Sequence, residues 1–135
     1  TVDEENPYVK FDNNILYTVG DNHTLISYLS SSKNESYVIP DHIRTINHDA
    51  FGVAENLVTL TIHENITQIG KYPFYLCSKL KNVKIGRSVT SIGEYSFSYC
   101  DNLKNVEVYA NNILECQDNV FENSNKVLIY ARQID

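Results

Sequence analysis

The amino-acid sequence predicts an α/β repeat solenoid, and three observations carry that prediction. The first is self-similarity. Residues 62–84 laid over residues 85–107 match without gaps at Ile62/Ile85, Thr67/Thr90, Ile69/Ile92, Gly70/Gly93, Tyr72/Tyr95, Phe74/Phe97, Cys77/Cys100, Leu80/Leu103, Lys81/Lys104 and Asn82/Asn105. A fixed period of this length marks stacked supersecondary units. The second is alternation: in "LKNVKI" and "LKNVEV" the last apolar residues alternate with polar ones, at the period of a half-buried strand. The third is size. One 23-residue unit cannot bury its own apolar face, so neighbours must stack into a continuous core beneath a ladder of parallel strands.

Each unit opens on that strand. A second short extended piece follows, "NITQIG" or "SVTSIG", closed by Gly70 or Gly93, with Asn47 in the first unit. Gly and Asn accept a left-handed turn cheaply, which is the role the sequence gives them. One helical turn then completes the unit, "KYPFYLC" or "EYSFSYC". Pro73 suits the start of such a turn, and Phe and Cys, three apart, share its inward face.

The frame extends both ways. Upstream, Ile39, Ile43, Ile46, Phe51, Ala54, Leu57 and Leu60 hold the apolar slots. Downstream, Val108 is in register. One extra residue near Asn111 and Asn112 then shifts the frame, after which Ile113, Cys116, Phe121, Ser124, Val127 and Tyr130 take the slots. The expectation is about four units near 39–61, 62–84, 85–107 and 108–132, making a solenoid over 37–132. Residues 1–36 fall outside it. There "NILYTV" and "HTLISYL" flank the turn signal "GDN", a β-hairpin expected to cap the solenoid's open end. The whole is expected to be a single domain.

"IGRSVTSIGEYSFSYCDNLKNVEV" and "VIPDHIRTINHDAFGVAENL" closely resemble the BspA-like leucine-rich-repeat family, whose unit reads approximately IPxxVTxIGxxAFxxCxxLxxI. Gly86 departs from it in place of the proline, Ala54 in place of one cysteine, and the fourth unit is irregular. The resemblance implies a leucine-rich-repeat solenoid that is a non-enzymatic protein-interaction module. It implies a cell-surface or secreted location, in mucosal bacteria or parasitic protists, and adhesion to a host or matrix protein. The alternative is a cytoplasmic scaffold using the same surface on an endogenous partner.

Composition agrees with a soluble interaction domain and excludes other classes. The formal charge is −6, and the 11 Lys and Arg are scattered, which argues against nucleic-acid binding. No apolar run approaches the ~20 residues needed to span a bilayer. Ten tyrosines stand against no Trp and no Met, a supply of large contact surfaces with polar tips.

The reactive residue types have structural readings. Cys77, Cys100 and Cys116 occupy slots that want a small buried apolar group. Stacked equivalents at ~5 Å lie within disulfide range, so the oxidation state of the Cys77–Cys100 pair stays open while free thiols are expected. His23, His42, His48 and His63 lack zinc-site spacing, although His42 and His63 are expected to approach each other on a loop edge. Asp41, Glu64 and Glu94 sit on separate turns. No cofactor, metal or enzymatic activity is expected. The sequons at Asn22, Asn34 and Asn65 would mark exposed loops, with glycosylation left open.

A partner would meet the outward side chains of the strands. By alternation these are Thr59, Thr61 and His63, then Asn82 and Lys84, then Asn105, Glu107 and Tyr109, with Val38 and Pro40 extending the stripe. The surface is polar, mixed in charge and edged by an aromatic. Tyr72 and Tyr95 form an alternative patch on the opposite side. Self-association through an exposed terminal strand is a further possibility.

Overall fold

A computed structural model describes residues 2–109, 115–116, 119–124 and 127–131. Its strands, in chain order, are β1 (Val9–Asp12), β2 (Ile15–Thr18), β3 (Thr24–Tyr28), β4 (Ser36–Val38), β5 (Thr45–Ile46), β6 (Thr59–Ile62), β7 (Gln68–Ile69), β8 (Asn82–Ile85), β9 (Ser91–Ile92), β10 (Asn105–Val108), β11 (Glu115–Cys116) and β12 (Leu128–Ala131). They form two sheets. One runs β1-β2-β3-β5-β7-β9-β11 and the other β12-β10-β8-β6-β4. Rungs β3, β5, β7, β9 and β11 on one side and β4, β6, β8, β10 and β12 on the other, joined alternately, make a β-solenoid of about four turns among the described residues. The strands β6, β8 and β10 pair in parallel and in register at an interval of 23 residues. At the N-terminal end β1, β2 and β3 pair antiparallel, and β3 then pairs in parallel with β5.

The repeat explains the core. Phe51, Phe74, Phe97 and Phe121 follow one another with ring centroids 5.3, 5.0 and 5.6 Å apart, close to the spacing of strands, the first pair tilted and the other two stacked. Tyr28 continues this spine, stacked on Phe51 at 4.9 Å. Ile39, Ile43, Ile46, Leu57 and Leu60 are buried as expected, and so are their counterparts in the next two coils. The buried Cys77 and Cys100 are free thiols. Each donates to a phenylalanine carbonyl of the preceding coil, Cys77 Sγ to Phe51 O at 3.3 Å and Cys100 Sγ to Phe74 O at 3.2 Å. Burial pushes the Cys77 thiol up to about 12 and raises Cys100 as well. Neither is a thiolate nucleophile at neutral pH.

Three expectations need correction. The helical turn is not a helix, and no helix occurs among the described residues. The reason lies in the backbone. Tyr72 and Leu76 both take left-handed φ values, 57° and 60°, as do Tyr95 and Tyr99 at 56°. Two left-handed residues four apart cannot belong to one right-handed helical turn. The N–H groups of Tyr72, Phe74 and Leu76 instead donate to Glu94, Ser96 and Ser98 of the next coil, at 3.0, 3.1 and 3.2 Å. Coil-to-coil hydrogen bonds therefore also run along this third side.

The second correction concerns Gly70 and Gly93. Gly20 is the glycine with positive φ among the described residues, so these two do not supply the left-handed turn. They allow close approach: a Cβ on Gly93 would lie 2.1 Å from Gly70 O, and one on Gly70 would lie 3.0 Å from His48 N. The third concerns the last unit. The proposed insertion near Asn111 and Asn112, and the slot given to Ile113, lie outside the described residues. The interval is 24 residues where Cys116 pairs with Ile92, but returns to 23 where β12 pairs with β10. Tyr130 therefore lies opposite Glu107 rather than Val106, whose partner is Ile129. Tyr130 is on the outward side of the sheet.

Candidate functional site

The outward face of β4, β6, β8, β10 and β12 is built directly by register. Ser36, Thr59, Asn82, Asn105 and Leu128 form one column across the sheet. Val38, Thr61, Lys84, Glu107 and Tyr130 form the next. Their inward neighbours Leu60, Val83 and Val106 are buried, which fixes the opposite side chains outward. Pro40, His63, Gly86 and Tyr109 follow at the strand ends, one per coil.

All eight residues expected on this face lie along it, yet they are not equally available. Asn105 Nδ2 donates to Asn82 Oδ1 at 2.9 Å, an amide ladder crossing two coils. Tyr109 donates its hydroxyl to Glu107 Oε2 at 2.7 Å. His63 is held at both nitrogens: its Nδ1 accepts the Asn65 N–H at 2.9 Å, and Nε2 lies 2.7 Å from Pro40 O. That pairing requires the neutral ring with its proton on Nε2. Burial lowers the His63 pKa, which favours the same form. His63 therefore clamps two coils together as well as edging the face.

Two shallow depressions break the surface. Thr59, Asn82, Lys84, Asn105, Glu107 and Tyr130 line the first. Thr61, His63, Lys84, Gly86 and Tyr109 line the second, with Ile62 among them. Gly86 sits between His63 and Tyr109 in this column, and it lets the chain run close against the His63 backbone, 2.5 Å from a would-be Cβ. An ion pair from Arg87 to Glu64, 2.8 Å long, rims the hollow. The sequence signal for this hollow was present: Gly86 stands where the repeat pattern has proline. The register of β12 adds Tyr130 to the face, opposite Glu107.

Outside this face, His42 lies near enough to His63 to feel its charge, and it packs on two other rings. Its ring lies edge-on to His23 at 5.1 Å and to Tyr17 at 4.7 Å. Burial first, then the neighbouring His23, lowers the His42 pKa. Among the described residues no group of three or more His, Cys, Asp or Glu is placed to hold a metal ion. No helix of the described chain is long and apolar enough to cross a membrane. The sequon residues Asn22, Asn34 and Asn65 are exposed.

Comparison with curated proteins returns no match. Solved structures do match. A leucine-rich repeat protein from Eubacterium ventriosum superposes with a TM-score of 0.81 at 26% identity, covering 94% of this chain and 34% of its own. One from Bacteroides capillosus gives 0.79 at 21% identity, covering 93% and 99% respectively. A leucine rich cell surface protein from Faecalibacterium prausnitzii gives 0.57 at 19% identity, covering 82% and 40%. The chain thus spans about a third of the first of these. A family model described as "BspA type Leucine rich repeat region", in 6 copies, matches residues 26–132. Repeats of this family and fold typically serve as protein-interaction modules. With the parallel ladders and the phenylalanine spine, this establishes that the chain belongs to the BspA-type leucine-rich-repeat family.

Proposed function

We propose that this chain is a non-enzymatic recognition module that binds a host or matrix protein at the cell surface or after secretion, through the outward face of β4, β6, β8, β10 and β12. The observation that carries the reading is the pair of in-register columns, which set Thr, Asn, Lys, Glu and Tyr side chains side by side on a hydrogen-bonded sheet. Such a face offers many polar contacts at little ordering cost, because the backbone beneath is already fixed. The similar cell-surface protein from Faecalibacterium prausnitzii supports the location. In this reading residues 1–36 cap the solenoid formed by residues 37–132.

The test is saturable binding of the purified chain to immobilised fibronectin, other matrix proteins and cultured host cells. It is run beside a variant carrying Thr61→Asp, Lys84→Glu and Tyr109→Ala, with circular dichroism confirming its fold. Binding by the parent that falls at least about tenfold in the variant supports the reading. Equal binding by both removes the strand face from it, and no binding by the parent to any ligand in the panel overturns the adhesion reading.

A further inference from the structure

The third side of the coils carries a second surface, made of tyrosines. Tyr72 and Tyr95 stack with centroids 5.1 Å apart and planes 2° from parallel. Tyr75 stands edge-on to Tyr72 at 6.1 Å and to Tyr99 at 5.5 Å. These four rings, with Asp49 and Glu122, line one surface depression. Asp49 occupies the slot of Tyr72 and Tyr95 one coil earlier, and Glu122 lies one coil beyond Tyr99, whose N–H its backbone carbonyl accepts at 3.0 Å. Asp49 and Glu122 thus line the depression from the coils that flank the tyrosine row. They are three coil rises apart, about 15 Å at the usual strand spacing.

Local backbone chemistry does not ask for tyrosine here. Tyr72, Tyr95 and Tyr99 take left-handed φ values of 57°, 56° and 56°. The same two slots hold Asp49, Asn119 and Asn123 in other coils, residue types that adopt this conformation more cheaply. Conflicts between local preference and fold gather where a surface has a task. The charge in the groove is negative. The neighbouring cation Lys71 is already paired with Glu94 at 3.4 Å.

We propose that this face takes an extended segment of a partner protein bearing two arginine or lysine side chains. The cations sit on the tyrosine ring faces and against the flanking carboxylates, an arrangement that combines cation–π attraction with charge-assisted hydrogen bonding. A 15 Å span is about five residues of extended or polyproline chain, which sets the spacing of the two cations. The site is independent of the strand face, so the two readings fail separately.

The probe is a blocked hexapeptide with arginine at each end and four prolines between, titrated calorimetrically into the full chain. The same peptide with glutamate at each end is the control. Tyr95→Asn with Tyr99→Asn removes two rings using the residue type that the last coil carries in these slots, so the fold is retained. Asp49→Asn with Glu122→Gln removes the charge alone. The arginine peptide binds and the glutamate peptide does not; affinity falls about tenfold in the tyrosine variant and about threefold in the carboxylate variant. Equal heats from both peptides, no binding at millimolar concentration, or unchanged affinity in both variants overturns the proposal.

Discussion

Replacing Gly86 with proline restores the residue that the family pattern carries in that slot, so a consensus argument expects stabilisation. The structure expects the reverse. A Cβ at position 86 would fall 2.5 Å from His63 O and 2.6 Å from His63 C, both backbone atoms that can yield only if the coils separate. Proline also removes the Gly86 N–H, which donates to Ile62 O at 2.8 Å. The lost hydrogen bond is worth about 1 kcal/mol, and overpacking against backbone about 1–3 kcal/mol. Proline's smaller unfolded-state entropy returns about 0.4–1 kcal/mol. The net is a destabilisation of about 1–3.5 kcal/mol, or ~4–12 °C in Tm for a domain of this size. Thermal unfolding followed by circular dichroism measures it, with Gly86→Ala separating the clash from the lost donor. A Tm for Gly86→Pro at or above that of the parent would show that the coils accommodate a side chain there.

Three further outcomes follow from the same geometry. Val53 is a β-branched residue at φ 58°, half exposed, in the slot that Asn123 fills three coils on. Val53→Asn should raise stability by about 1 kcal/mol, seen as a higher midpoint in urea. His42 and His63 both have folded pKa values below 6.5, so the unfolded chain binds protons first as pH falls. Their contribution is complete above pH 6.5 and is lost as pH drops through 6.5 towards the folded values. Tm should therefore decline between pH 7.5 and pH 5, and less so in His42→Gln. In a Cys116→Ser background, Cys77 and Cys100 should resist a thiol-specific reagent until the chain unfolds, because both are buried and protonated. Rapid labelling of the native protein would count against this core.

Much of the solenoid was legible because burial demands recur with the coil. Ile, Leu, Val, Phe and Cys hold the same slots in successive units, and the structure buries them there. The turn after the second strand was not legible. "KYPFYLC" has helical spacing, but two left-handed residues and hydrogen bonds to the next coil replace the helix. Those bonds are non-local, and a propensity argument does not contain them. Gly93 was misread for a related reason: the contact that requires it is Gly70 of the coil before. On the strand face, alternation placed all eight expected residues along the sheet. It could not show that His63 is engaged at both nitrogens, nor that a compensated interval puts Tyr130 beside Glu107.

Binding through the strand face is separable from binding through the tyrosine side by one comparison. A matrix or host-cell protein captured by the parent chain is titrated, by surface plasmon resonance, against two folded variants. One carries Thr61→Asp, Lys84→Glu and Tyr109→Ala on the strand face, and the other Tyr95→Asn and Tyr99→Asn on the tyrosine side. The strand-face account predicts a loss of about tenfold or more in the first. Undiminished affinity in that variant, whatever the second one does, would contradict it.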